Sequence, residues 1–160
     1  MNTDTRLDEL VRFADEIGLY YDDLGLPRAW GRVLGWLLVC EPDHQSADEL
    51  AAVLHASRGS ISMATRSLIR LGNVERQTRR GDRRIYYRIR SGTWTGIFEQ
   101  QVKAAAKLRQ LAEHGLELLN DVPATRRDRL KELHEFTAFY ERECLGVIAR
   151  WHRNRAQELR

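Results

Sequence analysis

Cysteine is nearly missing from this chain: Cys40 and Cys144 are the only two in 160 residues. Two thiols so far apart are no disulfide framework and suit a reducing cytosol. Long hydrophobic runs are missing as well. The longest, VLGWLLVC from Val33 to Cys40, falls far short of the roughly 20 residues that cross a bilayer, and it reads as a buried helix. The N-terminus carries Thr3, Asp4, Thr5, Arg6 and Asp8 in place of a signal peptide's apolar centre, so a cytoplasmic protein is expected. Catalytic signatures are also lacking. There is no Gly-x-Ser-x-Gly elbow, no phosphate-binding glycine loop and no carboxylate pair. Five histidines, His44, His55, His114, His134 and His152, show no ligand spacing, and His134-Glu135 lacks the second histidine of a His-Glu-x-x-His site. No enzyme activity, catalytic residue, metal or cofactor is expected.

What the chain does have is arginine, concentrated. RRGDRRIYYRIR, residues 79–90, holds six arginines in twelve positions, while the whole chain carries a formal net charge of only +3. Between Ser57 and Gly92 stand ten arginines against Glu75 and Asp82, a local charge of +8; the other 16 basic and 21 acidic residues leave −5 elsewhere. A localised cationic surface attracts polyanions and releases their counterions. No lysine occurs in that segment, and arginine's planar fork suits phosphates and base edges better than a point charge does. The bland alternative is a solvated basic face.

The apolar pattern predicts mostly helices. Leu7, Leu10, Ala14, Ile17 and Tyr21 form one stripe, broken by Asp22-Asp23 and Gly25. A helix opening at Pro27 runs to about Cys40, with Trp30, Val33, Leu34, Leu37 and Leu38 on its apolar side. Ser46 and Glu49 fit a capping box for a short helix that turns Leu50, Val53 and Leu54 inward. Ser57 caps the next, in which Ile61, Ala64, Leu68 and Leu71 share one face and Arg58, Ser62, Arg66 and Arg70 the opposite one. Gly72-Asn73 supplies the stop. Two short helices about a tight connection, the second small and cationic on its outer side, read as a helix-turn-helix. A purely structural helical hairpin is the alternative.

The arginine-rich stretch then becomes a β-hairpin. NVERQTR (73–79) and RIYYRIR (84–90) are strands, with Ile85, Tyr87 and Ile89 on one face and Arg84, Tyr86, Arg88 and Arg90 on the other. RGDR supplies the turn. Asp82 either steers the neighbouring Arg83 or is an ordinary turn residue. A helix-turn-helix followed by a basic hairpin is a winged helix, whose wing can place an arginine in the minor groove. A long helix follows, from about Trp94 to Leu119, and then a last one with a heptad-like seam at Leu130, Leu133, Thr137, Tyr140, Cys144, Val147 and Trp151. Arms of this length read as a dimer interface. The expected fold is mainly α with a small β-hairpin wing. It divides into an N-terminal dimerisation helix (1–24), a winged helix-turn-helix DNA-binding domain (25–92) and C-terminal dimerisation helices (93–160).

Three stretches now resemble the MarR family of bacterial regulators, and most of all its GbsR-type branch: GLPRAWGRVLGWLLVCEP (25–42), SADELAAVLHASRGSISMATRSLIRLGNVER (46–76) and GDRRIYYRI (81–89). The family's wing carries an Asp-x-Arg element. Here Asp82 and Arg83 are adjacent, so either Arg83 or Arg84 fills the arginine position. The resemblance implies a homodimer that binds an operator and is often released by a small-molecule effector or a stress signal.

On the residues themselves, Ser57, Arg58, Ser60, Ser62, Met63 and Arg66 are expected to contact the major groove of double-stranded DNA. Arg79, Arg80, Arg83 and Arg84 are expected on the wing. Arg88 and Arg90 are expected to neutralise backbone or support the wing. The expected function is a sequence-specific regulator of transcription, most simply a repressor. The alternative is a winged-helix module whose arms bind a protein partner. Tyr20, Tyr21, Trp30, Trp36, Trp94 and Phe98 are candidate linings of an effector cleft, or else simply core and interface. Cys40 and Cys144 are candidate redox sensors, although both read better as small buried hydrophobes.

Overall fold

The computed structural model describes residues 3–121 and 123–158. Two compact units divide at Thr93/Trp94. The first holds α1 (Thr3–Asp23), α2 (Arg28–Val39), β1 (Gln45–Ser46), α3 (Ala47–Val53), α4 (Arg58–Arg70), β2 (Val74–Thr78) and β3 (Ile85–Ile89). The second holds most of α5 (Thr93–Leu118) and all of α6 (Ala124–Glu158). Among the described residues, no helix is long and apolar enough to cross a membrane.

The core of the first unit is built from the faces that the helical spacing points inward. Val33, Leu34 and Leu37 of α2 meet Leu50 and Leu54 at α3, Ile61, Ala64 and Leu68 of α4, and Val74 and Tyr87 of the sheet. α1 packs within this unit and does not stand apart, with Ala14 fully buried in the same cluster. The predicted caps form. Ser46 Oγ accepts from the Glu49 amide (3.3 Å), and the Ser46 amide donates to the Glu49 carboxylate (2.7 Å), which closes the capping box. Ser57 Oγ accepts from the Ser60 amide at 3.1 Å.

Several details differ from expectation. Leu38 and Leu71, assigned to buried faces, are exposed; each lies near its helix's C-terminal end, where the neighbouring elements no longer cover it. At the α4 stop only Gly72 takes the left-handed conformation (φ +79°). Asn73 is buried instead, and its carbonyl accepts from the Arg90 amide and the Thr93 hydroxyl. The sheet has three strands in the order β1-β3-β2, all antiparallel. The two-residue β1 has no periodic signature that could announce it. It pairs Ser46 with Tyr86 and Gln45 with Tyr87.

That extra strand overturns the expected alternation of β3. Ile85 is 43% exposed and Tyr86 only 5%. Ile85 sits at the hairpin end, paired with Thr78 and beyond the reach of the core. Tyr86 is covered by β1 and by the ring of buried His44, which stands edge-on at 5.1 Å.

In the second unit, α5 and α6 run antiparallel, as the pairs Arg109–Glu141 (3.1 Å) and Glu99–His152 (3.8 Å) require. Val102, Ala112 and Thr137 are buried. The predicted seam of α6 is covered only in its first part: Leu130, Leu133, Tyr140 and Cys144 are half-buried, whereas Val147 and Trp151 are exposed.

Candidate nucleic-acid interface

α4 exists because its apolar positions repeat at helical spacing and Ser57 caps its first turn. The same spacing leaves the other side in solvent. Arg58, Gly59, Met63, Arg66 and Arg70 are exposed, and Ser60 and Ser62 are half-buried. Thr65 and Ser67 face inward, and the Thr65 hydroxyl returns to the Ile61 carbonyl at 2.9 Å. The outward side is therefore short, cationic and free of large aliphatic residues except Met63.

In the hairpin, the Asp82 amide donates to the Arg79 carbonyl (3.1 Å) and Gly81 takes φ +84°, a tight turn that glycine adopts without strain. Arg80 and Arg83 are exposed and make no ion pair with a described residue. Arg79 lies over the Tyr86 ring at 5.4 Å. Asp82 does not steer Arg83. It takes the Arg84 amide (2.9 Å) and the Arg84 guanidinium (2.9 Å). So Arg84, two residues on, fills the arginine place of the Asp-x-Arg element. The hydrogen bonds from the Arg84 guanidinium and amide, and then from the Tyr86 hydroxyl, hold the Asp82 carboxyl far below the usual range. The same bond to Asp82, with burial second, pushes the Tyr86 phenol up. Behind the tip, Arg88 pairs with Glu75 directly across the two strands at 2.6 Å.

Helix and hairpin come together at the start of α3. Asp48 receives Arg58 from α4 at 2.9 Å, and its neighbour Glu49 receives Arg84 from the hairpin at 3.6 Å. Exposed pairs of this kind stabilise little, but they register one cationic element against the other. All ten residues expected to contact DNA lie in the first unit, and none is buried. Sequence reasoning missed His44, Glu49 and Tyr86 as parts of this assembly. Only Glu49 carried a signal, its capping-box spacing.

The six aromatics fall in both units. Tyr20 is exposed, Tyr21 and Trp30 are half-buried, and Trp36 is buried in the core; Trp94 and Phe98 are exposed. The Trp36 indole N–H has no hydrogen-bond partner among the described residues. An open groove in the second unit is lined by Arg109, His134, Ala138, Glu141, Arg142 and Leu145, and none of the six aromatics belongs to it. Cys40 is buried and Cys144 half-buried. Among the described residues, no cluster of three His, Cys, Asp or Glu side chains could hold a metal.

Residues 24–85 match the family model described as MarR family, and residues 92–155 match that of the MmpR5-like MarR family transcriptional regulator. The HTH-type transcriptional regulator MmpR5 of Mycobacterium tuberculosis is 37% identical over 150 residues, spanning 94% of this chain and 91% of that protein. A crystal structure of a transcriptional regulator aligns with a TM-score of 0.79 at 39% identity, covering 91% of this chain and 99% of the other. With this likeness running through both units, the chain belongs to the MarR family, as a regulator of transcription and not an enzyme.

Proposed function

We propose that this regulator represses transcription as a cytoplasmic homodimer that binds a two-fold operator in double-stranded DNA. The observation that carries the reading is the meeting of α4 and the hairpin at Asp48 and Glu49. Through it the outer side of one and the tip of the other are held in fixed relation. Ser57, Arg58, Ser60, Ser62, Met63 and Arg66 then serve the major groove, and Arg79, Arg80, Arg83 and Arg84 serve the wing. Most of these contacts go to phosphates and set affinity; few read bases. Support for pairing comes from the second unit. Leu108, Leu111, Phe136, Phe139, Val147 and Trp151 are all exposed there, large apolar side chains of the kind that a second copy would cover. Two copies place two α4 helices on half-sites about one helical turn apart. Release by a small-molecule effector extends the same reading. The finer placement in the GbsR-type branch rests on the stretches 25–42, 46–76 and 81–89.

Salt titration of a mobility shift tests the function. Binding falls steeply with ionic strength, with a log-log slope near −0.9 per phosphate neutralised. Removing the charge of Arg83 and Arg84 together weakens it at least about tenfold. Unchanged binding by that double variant removes the wing from the interface. A main complex that ignores salt favours a protein partner instead.

A further inference from the structure

The wing's arginine is held from beneath. Arg84 makes bonds to both Asp82 oxygens, from Nε at 3.3 and 3.2 Å and from Nη2 at 2.9 Å. Its Nη1 faces Glu49 at 3.6 Å, and its Cζ lies 5.2 Å from the Tyr86 ring centre. Asp82 in turn accepts the Tyr86 hydroxyl at 2.8 Å. Unlike Asp82 and Arg84, Tyr86 belongs to the folded body: it is buried, paired with Ser46 of β1 and packed edge-on by His44. Ser46 also caps α3 through Glu49. A continuous set of bonds therefore runs from the start of α3 to a guanidinium at the wing.

We propose that Tyr86 is a positioning residue for DNA binding, its hydroxyl fixing Asp82 so that Asp82 presents Arg84 to the duplex. Three conditions favour this over a merely structural tyrosine. The phenol's bond is to a carboxylate, the stronger kind. Among the described residues, that carboxylate's other partners are all donors of Arg84: its amide, its Nε and its Nη2. A long arginine otherwise loses considerable rotamer freedom on binding, and anchoring it beforehand removes part of that cost. The inference rests on the DNA-binding reading above, and the test separates the two.

The probe is a duplex enriched from random-sequence DNA by the wild-type protein. Its affinity is measured for wild type, Tyr86→Phe, Arg84→Ala and the double variant, with a melting temperature for each. Tyr86→Phe weakens binding about fivefold, roughly the net effect of one typical hydrogen bond, and Arg84→Ala about tenfold. In the Arg84→Ala background, Tyr86→Phe changes binding less than about 1.5-fold, because the residue it acts through is gone. The same cycle with Asp82→Asn breaks the relay one link further on, without touching the core, and shows the same dependence. Independent effects that multiply, in either cycle, overturn the proposal. So does an Arg84→Ala variant that binds like wild type, which leaves the α4 reading standing. A wild-type protein that enriches no duplex overturns the DNA-binding reading itself and this inference with it.

Discussion

Gly31 lies against the backbone of Gly18. A Cβ built on Gly31 would stand 2.8 Å from the Gly18 Cα and closer still to the Ile17 carbonyl oxygen. One turn on, a Cβ on Gly35 would stand 2.9 Å from the Ala14 Cα. α1 and α2 therefore cross with their backbones in contact. A methyl at Gly31 meets main chain, which cannot swing aside as a side chain can. Gly31→Ala is expected to cost about 2 kcal/mol or more, within the range for overpacking, read as a lowered urea midpoint. Gly96→Ala, where an added Cβ meets nothing within 4 Å, is expected to be neutral or stabilising by up to about 1 kcal/mol. Equal stability for Gly31→Ala and wild type would contradict the close crossing.

This crossing shows where sequence reading stopped short. The stripe Leu7–Tyr21 and the apolar run at Val33 told which faces turn inward, because burial follows the 3.6-residue period. The glycines four apart at 31 and 35 marked the seam as well, but a periodicity count does not score residues without side chains. The caps at Ser46 and Ser57 were legible because they are local, three residues from donor to acceptor. β1 and the seat of Tyr86 were not, since they depend on pairing residues 40 positions apart. The wing followed the same rule. Its charge and turn could be read, whereas the choice of Arg84 over Arg83 as partner of Asp82 depended on the turn's geometry.

His55, in the connection between α3 and α4, takes φ +47°. A left-handed conformation costs a residue with a Cβ roughly 1–2 kcal/mol. Glycine adopts it freely but loses more chain entropy on folding. His55→Gly is therefore expected to be neutral or stabilising by up to about 1 kcal/mol. His55→Val, β-branched and worst suited to positive φ, is expected to fall at least about 1 kcal/mol below His55→Gly. Chemical denaturation of the pair gives the order. A valine variant as stable as the glycine variant would mean that the turn relaxes without penalty.

Burial pushes the Cys40 thiol up to about 11, opposed by a backbone hydrogen bond and reinforced by Asp43 and Glu41. The thiolate is the reactive form, so native Cys40 is expected to stay silent toward an aromatic disulfide reagent at pH 8. The native protein then titrates at most one thiol, and Cys144→Ser titrates none until denaturant is added. The linkage has a definite sign. A raised thiol pKa contributes stability that is present below its ordinary value of 9.0 and lost as pH climbs toward 11. Rapid modification of Cys144→Ser in the absence of denaturant would reopen a redox role for Cys40.

Glu49 and Asp82 set the acid limit of the cap and wing. Hydrogen bonding by the Ser46 amide lowers Glu49 from its ordinary 4.5, and the Arg84 guanidinium lowers Asp82 from 3.8. Carboxyls depressed in the folded state contribute stability above their unfolded values, and that contribution is lost as pH falls through the folded ones. Between pH 7 and 5 neither group is expected to change stability; below about pH 4.5 both begin to. Glu49→Gln removes one titrating group and leaves an amide oxygen that still accepts from Ser46. Its urea midpoint should sit below wild type at pH 6 and converge on it by pH 3, flattening the acid limb. Asp82→Asn should lower the urea midpoint at pH 6 only slightly, since solvent screens the exposed turn, while weakening DNA binding at that pH through Arg84. A carboxyl-carbon titration of Asp82 by NMR supplies the direct check. A midpoint at or above 3.8 would mean that the grip on Arg84 does not hold in solution.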